Sequence, residues 1–130
     1  GGTHAGLLAG LDASTRVLGV DVGTRPDLDE VIPRLAAEVA AHTGRAAPQA
    51  EVIVDHDHFG TGYGEITDDA LDAIRQTARL EGIVLDPVYT GKGMAGLIGL
   101  LRSGEIAGNE TVVFIHTGGS PALFAYADRF

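Results

Sequence analysis

The run Asp86-Pro87-Val88-Tyr89-Thr90-Gly91-Lys92 places a phenol, a hydroxyl and an amine close together in the chain. It lies where a predicted strand meets a predicted helix, a junction at which α/β enzymes hold reactive groups. A second tyrosine, Tyr63, lies between glycines in Gly60-Thr61-Gly62-Tyr63-Gly64, which leaves its ring free to project over a cavity. A phenol with a pKa of about 10 acts as acid or base near neutrality only beside a cation or in a geometry that lowers its pKa. Taken alone, each tyrosine fits an ordinary core aromatic better than a catalytic residue.

Two glycine turns precede predicted helices. Gly1-Gly2-Thr3-His4-Ala5-Gly6 is the kind of turn that holds a phosphate, because backbone N–H groups and the helix dipole converge on the anion. Such turns follow a strand, and none precedes this one, so we expect the chain to be the back part of a larger enzyme. The alternative is a flexible N-terminus or a tag remnant. Gly118-Gly119-Ser120 is a similar turn, which packing at a domain end explains equally well.

The histidines favour no metal site. Asp55-His56-Asp57-His58 has two histidines and two carboxylates on alternate residues, but no third ligand has suitable spacing. A metal site here is therefore the lesser alternative to a solvated strand exit. The other three histidines are predicted to be turn or surface residues with satisfied hydrogen bonds: His4, His42 and His116.

Composition limits the classes of function. The 130 residues suit one domain, and the net charge of −9 argues against nucleic acid or an anionic membrane as a partner. The absence of cysteine excludes disulfides and thiolate nucleophiles. No apolar run approaches the roughly 20 residues that span a bilayer. A cytoplasmic location is the expectation.

Strands and helices alternate in the predicted structure. Short apolar runs predict strands at Arg16–Val22, Glu51–Val54, Ile83–Leu85 and Thr111–His116. Apolar stripes at helical spacing predict helices around four sets of residues: Leu7, Leu8 and Leu11; Leu28, Val31, Ile32, Leu35 and Val39; Leu71, Ile74 and Ala78; and Met94, Leu97, Ile98 and Leu101. Pro33 implies that the second helix starts near Ile32 or kinks there. Thr67 and Ser120 are predicted helix caps, with Pro121 at the first position of the last helix. The expected fold is α/β, with a mostly parallel sheet and helices on both faces.

Taken together, four segments resemble a known family: GGTHAGLLAGL, the GTGYGE loop, ARLEGIVLDPVYTGKGMAGLIGLLRSG and VVFIHTGGSPALFAY. They are similar to the carboxyl-terminal part of the D-cysteine desulfhydrase and 1-aminocyclopropane-1-carboxylate deaminase family. The resemblance covers essentially the whole chain, and DPVYTGK followed by HTGGSPALF is its specific part.

The resemblance implies a pyridoxal 5'-phosphate enzyme with the fold type II architecture of the tryptophan synthase β subunit, usually a homodimer. Residues 1–130 would be the carboxyl-terminal part of the cofactor-binding large domain, with the amino-terminal part of the enzyme absent from this chain. By position, Gly1, Gly2 and Thr3 would bind the cofactor phosphate. Tyr63 and Tyr89 match the family's two active-site tyrosines, and Thr90 matches the residue that faces the pyridine nitrogen.

Thr90 separates the branches of the family, since the deaminases typically have glutamate at this position. A neutral hydroxyl implies a weaker electron sink, which favours α,β-elimination on a small sulfur-bearing amino acid over cyclopropane opening. The expected reaction is that of a D-cysteine desulfhydrase or cysteate sulfo-lyase, which yields pyruvate, ammonia and sulfide or sulfite. The alternatives are a 1-aminocyclopropane-1-carboxylate deaminase and a non-catalytic α/β fragment that binds a phosphate-bearing ligand or a protein.

Two departures from the family pattern matter. The Schiff-base lysine belongs to the family's amino-terminal part, so the chain alone is expected to be inactive. Lys92, the only lysine here, matches the additional lysine of DPVYTGK and does not replace it. Glu65 and Ile66 differ from the residues that usually follow the first tyrosine.

Overall fold

The computed structural model describes residues 1–130, which form five helices and two strands. In chain order they are α1 (Gly2–Gly10), β1 (Leu18–Val20), α2 (Leu28–His42), β2 (Ile53–Asp55), α3 (Asp68–Glu81), α4 (Thr90–Ser103) and a terminal 3-10 helix (Ser120–Arg129). The residues divide into two compact units. The first comprises Gly1–Gly19 and Arg25–Asp55, and the second comprises Val20–Thr24 and His56–Phe130.

In the first unit, α1 packs on α2 through small and branched apolar side chains. The buried cluster consists of Ala5, Leu8, Val17, Leu28, Ile32 and Ala36. The helix α2 begins at Leu28 and continues through Pro33, so the expected start near Ile32 is wrong. Proline removes one backbone donor, and the burial of the apolar stripe on both sides of it keeps the helix intact.

The sheet is small. β1 and β2 form a two-stranded parallel pair, and α2 is the crossover between them. Both strands lie inside or next to the ranges predicted from the sequence, and both are shorter than predicted. The α/β class is confirmed, although the strands that would widen this sheet are not formed by the described residues.

In the second unit, α3 packs on α4. Thr67 caps α3 as predicted, because its hydroxyl accepts a hydrogen bond of 3.1 Å from the Ala70 N–H. The buried face of α4 differs from the prediction: Ala95, Gly96 and Leu100 are buried, whereas Leu101 is exposed. Gly91 allows the two helices to approach closely. A Cβ at this position would lie only 2.8 Å from the Ile74 side chain.

Two predicted strands are wrong. Ile83–Leu85 and Thr111–His116 are not strands, because no neighbouring strand supplies the backbone partners of a ladder. They are instead joined by a side-chain hydrogen bond of 3.1 Å from the His116 ring to the Val84 carbonyl. Three apolar side chains of the second segment, Val112, Val113 and Ile115, are exposed, with Val113 76% accessible, and Phe114 is half-buried.

The terminal 3-10 helix has Gly119 at its cap position, so the prediction of Ser120 as the cap is wrong. Gly119 has a φ of 100°, a left-handed conformation that frees Ser120 to begin the helix. Pro121 lies in the first turn. No helix in the structure has both the length and the apolar character needed to span a membrane.

Candidate active site

The turn before α4 is organised by Asp86, which is fully buried. One carboxylate oxygen, Oδ2, accepts hydrogen bonds from the backbone N–H groups of Val88 at 2.9 Å and Tyr89 at 2.8 Å. The other, Oδ1, accepts from the Thr90 N–H at 2.8 Å and the Thr90 hydroxyl at 2.7 Å. Burial alone would raise the pKa of Asp86, but these hydrogen bonds outweigh it and hold the pKa below its ordinary value. The carboxylate thereby fixes the backbone that presents Tyr89 and Thr90.

Tyr63 and Tyr89 come together at the surface of the second unit, although they are 26 residues apart in the chain. Their rings meet edge to face with centroids 5.9 Å apart, and their hydroxyls are hydrogen-bonded to each other. Tyr63 is 55% exposed and Tyr89 is 43% exposed, so both phenols are open to a ligand. Neither is the buried core aromatic that was the alternative from the sequence.

The contact changes the acidity of one phenol. The mutual hydrogen bond raises the pKa of Tyr89 above its ordinary value, and partial burial, the Tyr63 phenol and the Asp86 charge act in the same direction. Tyr89 therefore keeps its proton at neutral pH. Each hydroxyl has one proton, and one of the two is used in the mutual hydrogen bond. The pair has one hydroxyl proton left to offer to a ligand.

Thr90 begins α4 and is buried. Besides donating to Asp86 Oδ1, its hydroxyl accepts a 2.8 Å hydrogen bond from the Asp86 N–H. A hydroxyl has one proton and two acceptor positions, so one acceptor position remains for a further donor. The carboxylate thus sets the direction in which Thr90 offers its remaining lone pair.

The loop that holds Tyr63 is fixed at several points. The Glu65 carboxylate accepts hydrogen bonds from the N–H of Thr61 at 2.6 Å and from its hydroxyl. The Thr61 hydroxyl is the main cause of the lowered pKa of Glu65. From α4, the ammonium group of Lys92 donates to the Phe59 carbonyl at 2.6 Å and to the Gly62 carbonyl at 3.2 Å. The loop is therefore a rigid support for its tyrosine.

In the first unit, Gly1, Gly2 and Thr3 form the start of α1 and are exposed. The first N–H groups of a helix have no partner within the helix, and a Cβ on Gly2 would meet no atom within 4 Å. This turn therefore presents backbone donors and the Thr3 hydroxyl to open space. His4 behind it is buried, packs against Gly19 and leaves its Nε2 without a hydrogen-bond partner. His4 is therefore not the satisfied turn or surface histidine that was expected. Its burial also lowers its pKa.

The acidic and histidine-rich run forms other contacts than those of a metal site. Within the second unit, the Nδ1 atom of His56 lies 3.1 Å from the Asp21 carboxylate. The ring of His58 lies against Gly99 of α4, where a Cβ would be 2.3 Å from its Nε2. No group of three or more histidine, aspartate or glutamate side chains is arranged to hold a metal ion.

Comparison with known proteins identifies the family. The model of the family described as pyridoxal-phosphate dependent enzyme matches residues 1–118. The chain belongs to this family. Over 136 aligned residues it is 42% identical to a 1-aminocyclopropane-1-carboxylate deaminase of Burkholderia vietnamiensis, with 100% of this chain and 40% of that protein covered. Over 130 residues it is also 42% identical to a D-cysteine desulfhydrase of Klebsiella pneumoniae subsp. pneumoniae, with 96% of this chain and 39% of that protein covered.

A solved structure extends the similarity to the fold. The crystal structure of an ACC deaminase homologue superposes with a TM-score of 0.82 at 35% identity, and covers 97% of this chain and 40% of that chain. The fold is therefore that of a fold type II pyridoxal-phosphate enzyme. The chain spans about 40% of the length of the relatives that it matches.

Each unit, taken by itself, presents groups whose chemistry suits a part of pyridoxal phosphate or its substrate. The exposed donors of Gly1, Gly2 and Thr3 suit its phosphate, because a helix start with open N–H groups attracts an anion. In the second unit, the hydroxyls of Tyr63 and Tyr89 are brought together, and the proton that remains to the pair suits a polar group of a substrate. Thr90 follows Tyr89 in the chain and has one acceptor position left. Sequence reasoning missed Asp86 as the anchor of this turn. Its position four residues before the first residue of the helix was the available signal.

Proposed function

We propose that the enzyme to which this chain contributes catalyses α,β-elimination on a small sulfur-bearing amino acid, in the manner of a D-cysteine desulfhydrase or cysteate sulfo-lyase. The observation that carries the proposal is Thr90, a neutral hydroxyl hydrogen-bonded to Asp86 at the start of α4. The deaminase branch resembles this chain equally in sequence identity, but typically has a carboxylate at the position of Thr90. A deaminase is therefore the second candidate.

The reaction balances with one water. The Cα–H and Cβ–S bonds of the amino acid break, the sulfur departs as sulfide or sulfite, and water releases pyruvate and ammonia. Pyridoxal phosphate, when bound, supplies the sink for the electron pair left at the α-carbon. The chain's own residues would bind and orient the cofactor: Gly1, Gly2 and Thr3 would hold the phosphate, and Thr90 would lie beside the ring nitrogen.

The tyrosine pair has a hydrogen-bonding role in this proposal. Because the mutual hydrogen bond raises the pKa of Tyr89, its Oη stays protonated at neutral pH, and the pair has one hydroxyl proton to offer as a hydrogen bond. The pair directs that hydrogen bond to substrate atoms that gain negative charge, such as the departing sulfur. Tyr63 orients the Tyr89 hydroxyl through their mutual hydrogen bond.

The remainder of the enzyme completes the site. In this proposal residues 1–130 are the carboxyl-terminal part of the cofactor-binding large domain, and the lysine that holds the cofactor is in the other part. The 40% coverage of the relatives supports this assignment. The assignment is also supported by three exposed apolar side chains, those of Val112, Val113 and Ile115. The other part of the enzyme would cover them. The family resemblance further implies a homodimer, which gel filtration of the complete enzyme tests.

The test uses the complete enzyme with three amino acids supplied separately: D-cysteine, L-cysteate and 1-aminocyclopropane-1-carboxylate. We expect a visible absorption band of bound cofactor that borohydride bleaches, and pyruvate formed from D-cysteine or cysteate together with sulfide or sulfite. Formation of 2-oxobutanoate from the cyclopropane substrate, without pyruvate from the other two, would establish the deaminase instead. A colourless enzyme that forms neither product and does not respond to added pyridoxal phosphate would refute both enzymatic candidates.

A further inference from the structure

The lysine on α4 is an unusual residue for its place. Lys92 is fully buried, whereas lysine side chains are almost never buried without a specific partner. It is the only lysine in the chain. It also lies in the first turn of α4, where the positive end of the helix dipole disfavours a cation. Local electrostatics and solvation both oppose an ammonium group at this position.

The hydrogen bonds that compensate for burial of the ammonium group all go to one loop segment. Two of the three N–H donors of Lys92 are directed to the carbonyls of Phe59 and Gly62, 33 and 30 residues earlier in the chain. These carbonyls flank the turn that ends at Tyr63. Burial is the main cause of the lowered pKa of Lys92, and the nearby Glu65 and Asp21 carboxylates act in the opposite direction.

A second contact holds the same loop from another side. A Cβ on Gly23 would lie 2.9 Å from the Tyr63 backbone nitrogen and 3.0 Å from the Gly62 carbonyl carbon. The loop backbone is thus pressed against Gly23 and hydrogen-bonded to Lys92. Lys92 follows Tyr89 by three residues in the same helical turn. Lys92 therefore connects the loop that holds Tyr63 to the start of the helix that follows Tyr89.

We propose that Lys92 is a positioning residue that fixes the loop Phe59–Gly64 against the start of α4 and so sets the Tyr63–Tyr89 hydroxyl contact on which turnover depends. This inference rests on the proposed function, because the tyrosine pair is given its role there. Lys92 touches neither substrate nor cofactor in this proposal. Its effect on the reaction passes entirely through Tyr63.

The test is a double-mutant cycle in the complete enzyme. Lys92→Met keeps the length of the side chain and removes the ammonium group. We expect it to lower kcat about 10- to 100-fold with KM changed less than about threefold, since a misplacement near 1 Å costs up to about 100-fold in rate. In a Tyr63→Phe background, which already lacks the mutual hydrogen bond, the same change should lower kcat less than about threefold. Lys92→Arg restores two donors and should recover part of the loss.

The control is Arg102→Met, which removes an exposed cation from the last turn of the same helix and should leave kcat unchanged. Chymotrypsin cleavage after Tyr63 gives a readout without turnover, and we expect it to be faster in Lys92→Met than in the control. Equal losses of kcat in the wild-type and Tyr63→Phe backgrounds would overturn the inference, as would an active Lys92→Met enzyme with unchanged kcat. If Lys92→Met fails to fold, Lys92→Gln takes its place in the cycle with the same criteria, and Lys92→Arg remains the rescue variant. A wild-type enzyme without elimination activity would instead refute the proposed function, and that result is read before any variant is made.

Discussion

Replacement of Gly119 tests the packing that anchors the active-site turn. Gly119 has a φ of 100°, and a Cβ added to it would lie 2.7 Å from both Cγ and Oδ1 of Asp86. Gly119→Ala therefore combines backbone strain of about 1–3 kcal/mol with overpacking of about 1–3 kcal/mol against the buried carboxylate. The expected loss in the free energy of unfolding is about 2–6 kcal/mol.

The neighbouring glycine provides a matched control. Gly118 has a φ of 97°, but no atom lies within 4 Å of an added Cβ. Gly118→Ala therefore has the strain without the clash, and its expected loss is about 1–3 kcal/mol. Urea titration of the complete enzyme at neutral pH measures both variants. Equal losses within about 0.5 kcal/mol would show that Gly119 does not pack tightly on Asp86.

Three further predictions concern the turn itself. Tyr89→Phe should lower kcat about 100- to 10,000-fold and leave the visible cofactor band largely intact, because the phenol donates to substrate and does not hold the cofactor ring. Loss of the band would contradict that role. Thr90→Val removes two buried hydrogen bonds, one of them to a carboxylate, and should lower the free energy of unfolding by about 2–4 kcal/mol in urea titrations. Thr90→Ser retains both hydrogen bonds and should lower it by about 1 kcal/mol. Similar losses in the two variants would be inconsistent with the Asp86 contact. Because the pKa of Asp86 in the folded protein is below 3.8, its stabilisation is present above that pH and is lost as the pH falls through the folded value. Asp86→Asn should therefore flatten the fall in stability as the pH drops below about 4, and an unchanged acid titration would argue against the depressed pKa.

Local signals predicted much of the helical structure. Thr67 followed by Asp68 and Asp69 is a strong helix start, and the structure forms α3 there. The buried face of α4 was not predictable from its large aliphatic residues. It depends on the close approach of α3 at Gly91, which brings small residues inside, and such an approach has no local signature. The run Thr111–His116 has β-type composition, but a strand also needs a partner that the described residues do not supply.

The candidate site was predicted in part. Motif resemblance selected Tyr63, Tyr89 and Thr90, and the structure brings the two tyrosines into contact. The roles of these three residues stay predictions. The mutual hydrogen bond of the phenols was not predictable, because no pattern in one sequence relates residues in separate loops. Lys92 was expected to be only an additional motif lysine, since nothing in the sequence indicates that an ammonium group will be buried beneath a glycine-rich loop. The phosphate-binding role of Gly1, Gly2 and Thr3 stays a prediction.

The segment Thr111–His116 has a consequence for handling the protein. Its six residues, TVVFIH, combine high β-propensity with no proline, no glycine and no formal charge, and its backbone has no ladder partner. Segments of this kind are templates for intermolecular cross-β stacking. A proteolytic fragment that exposes this segment would therefore be prone to aggregate, and preparations of the protein need protection from proteolysis.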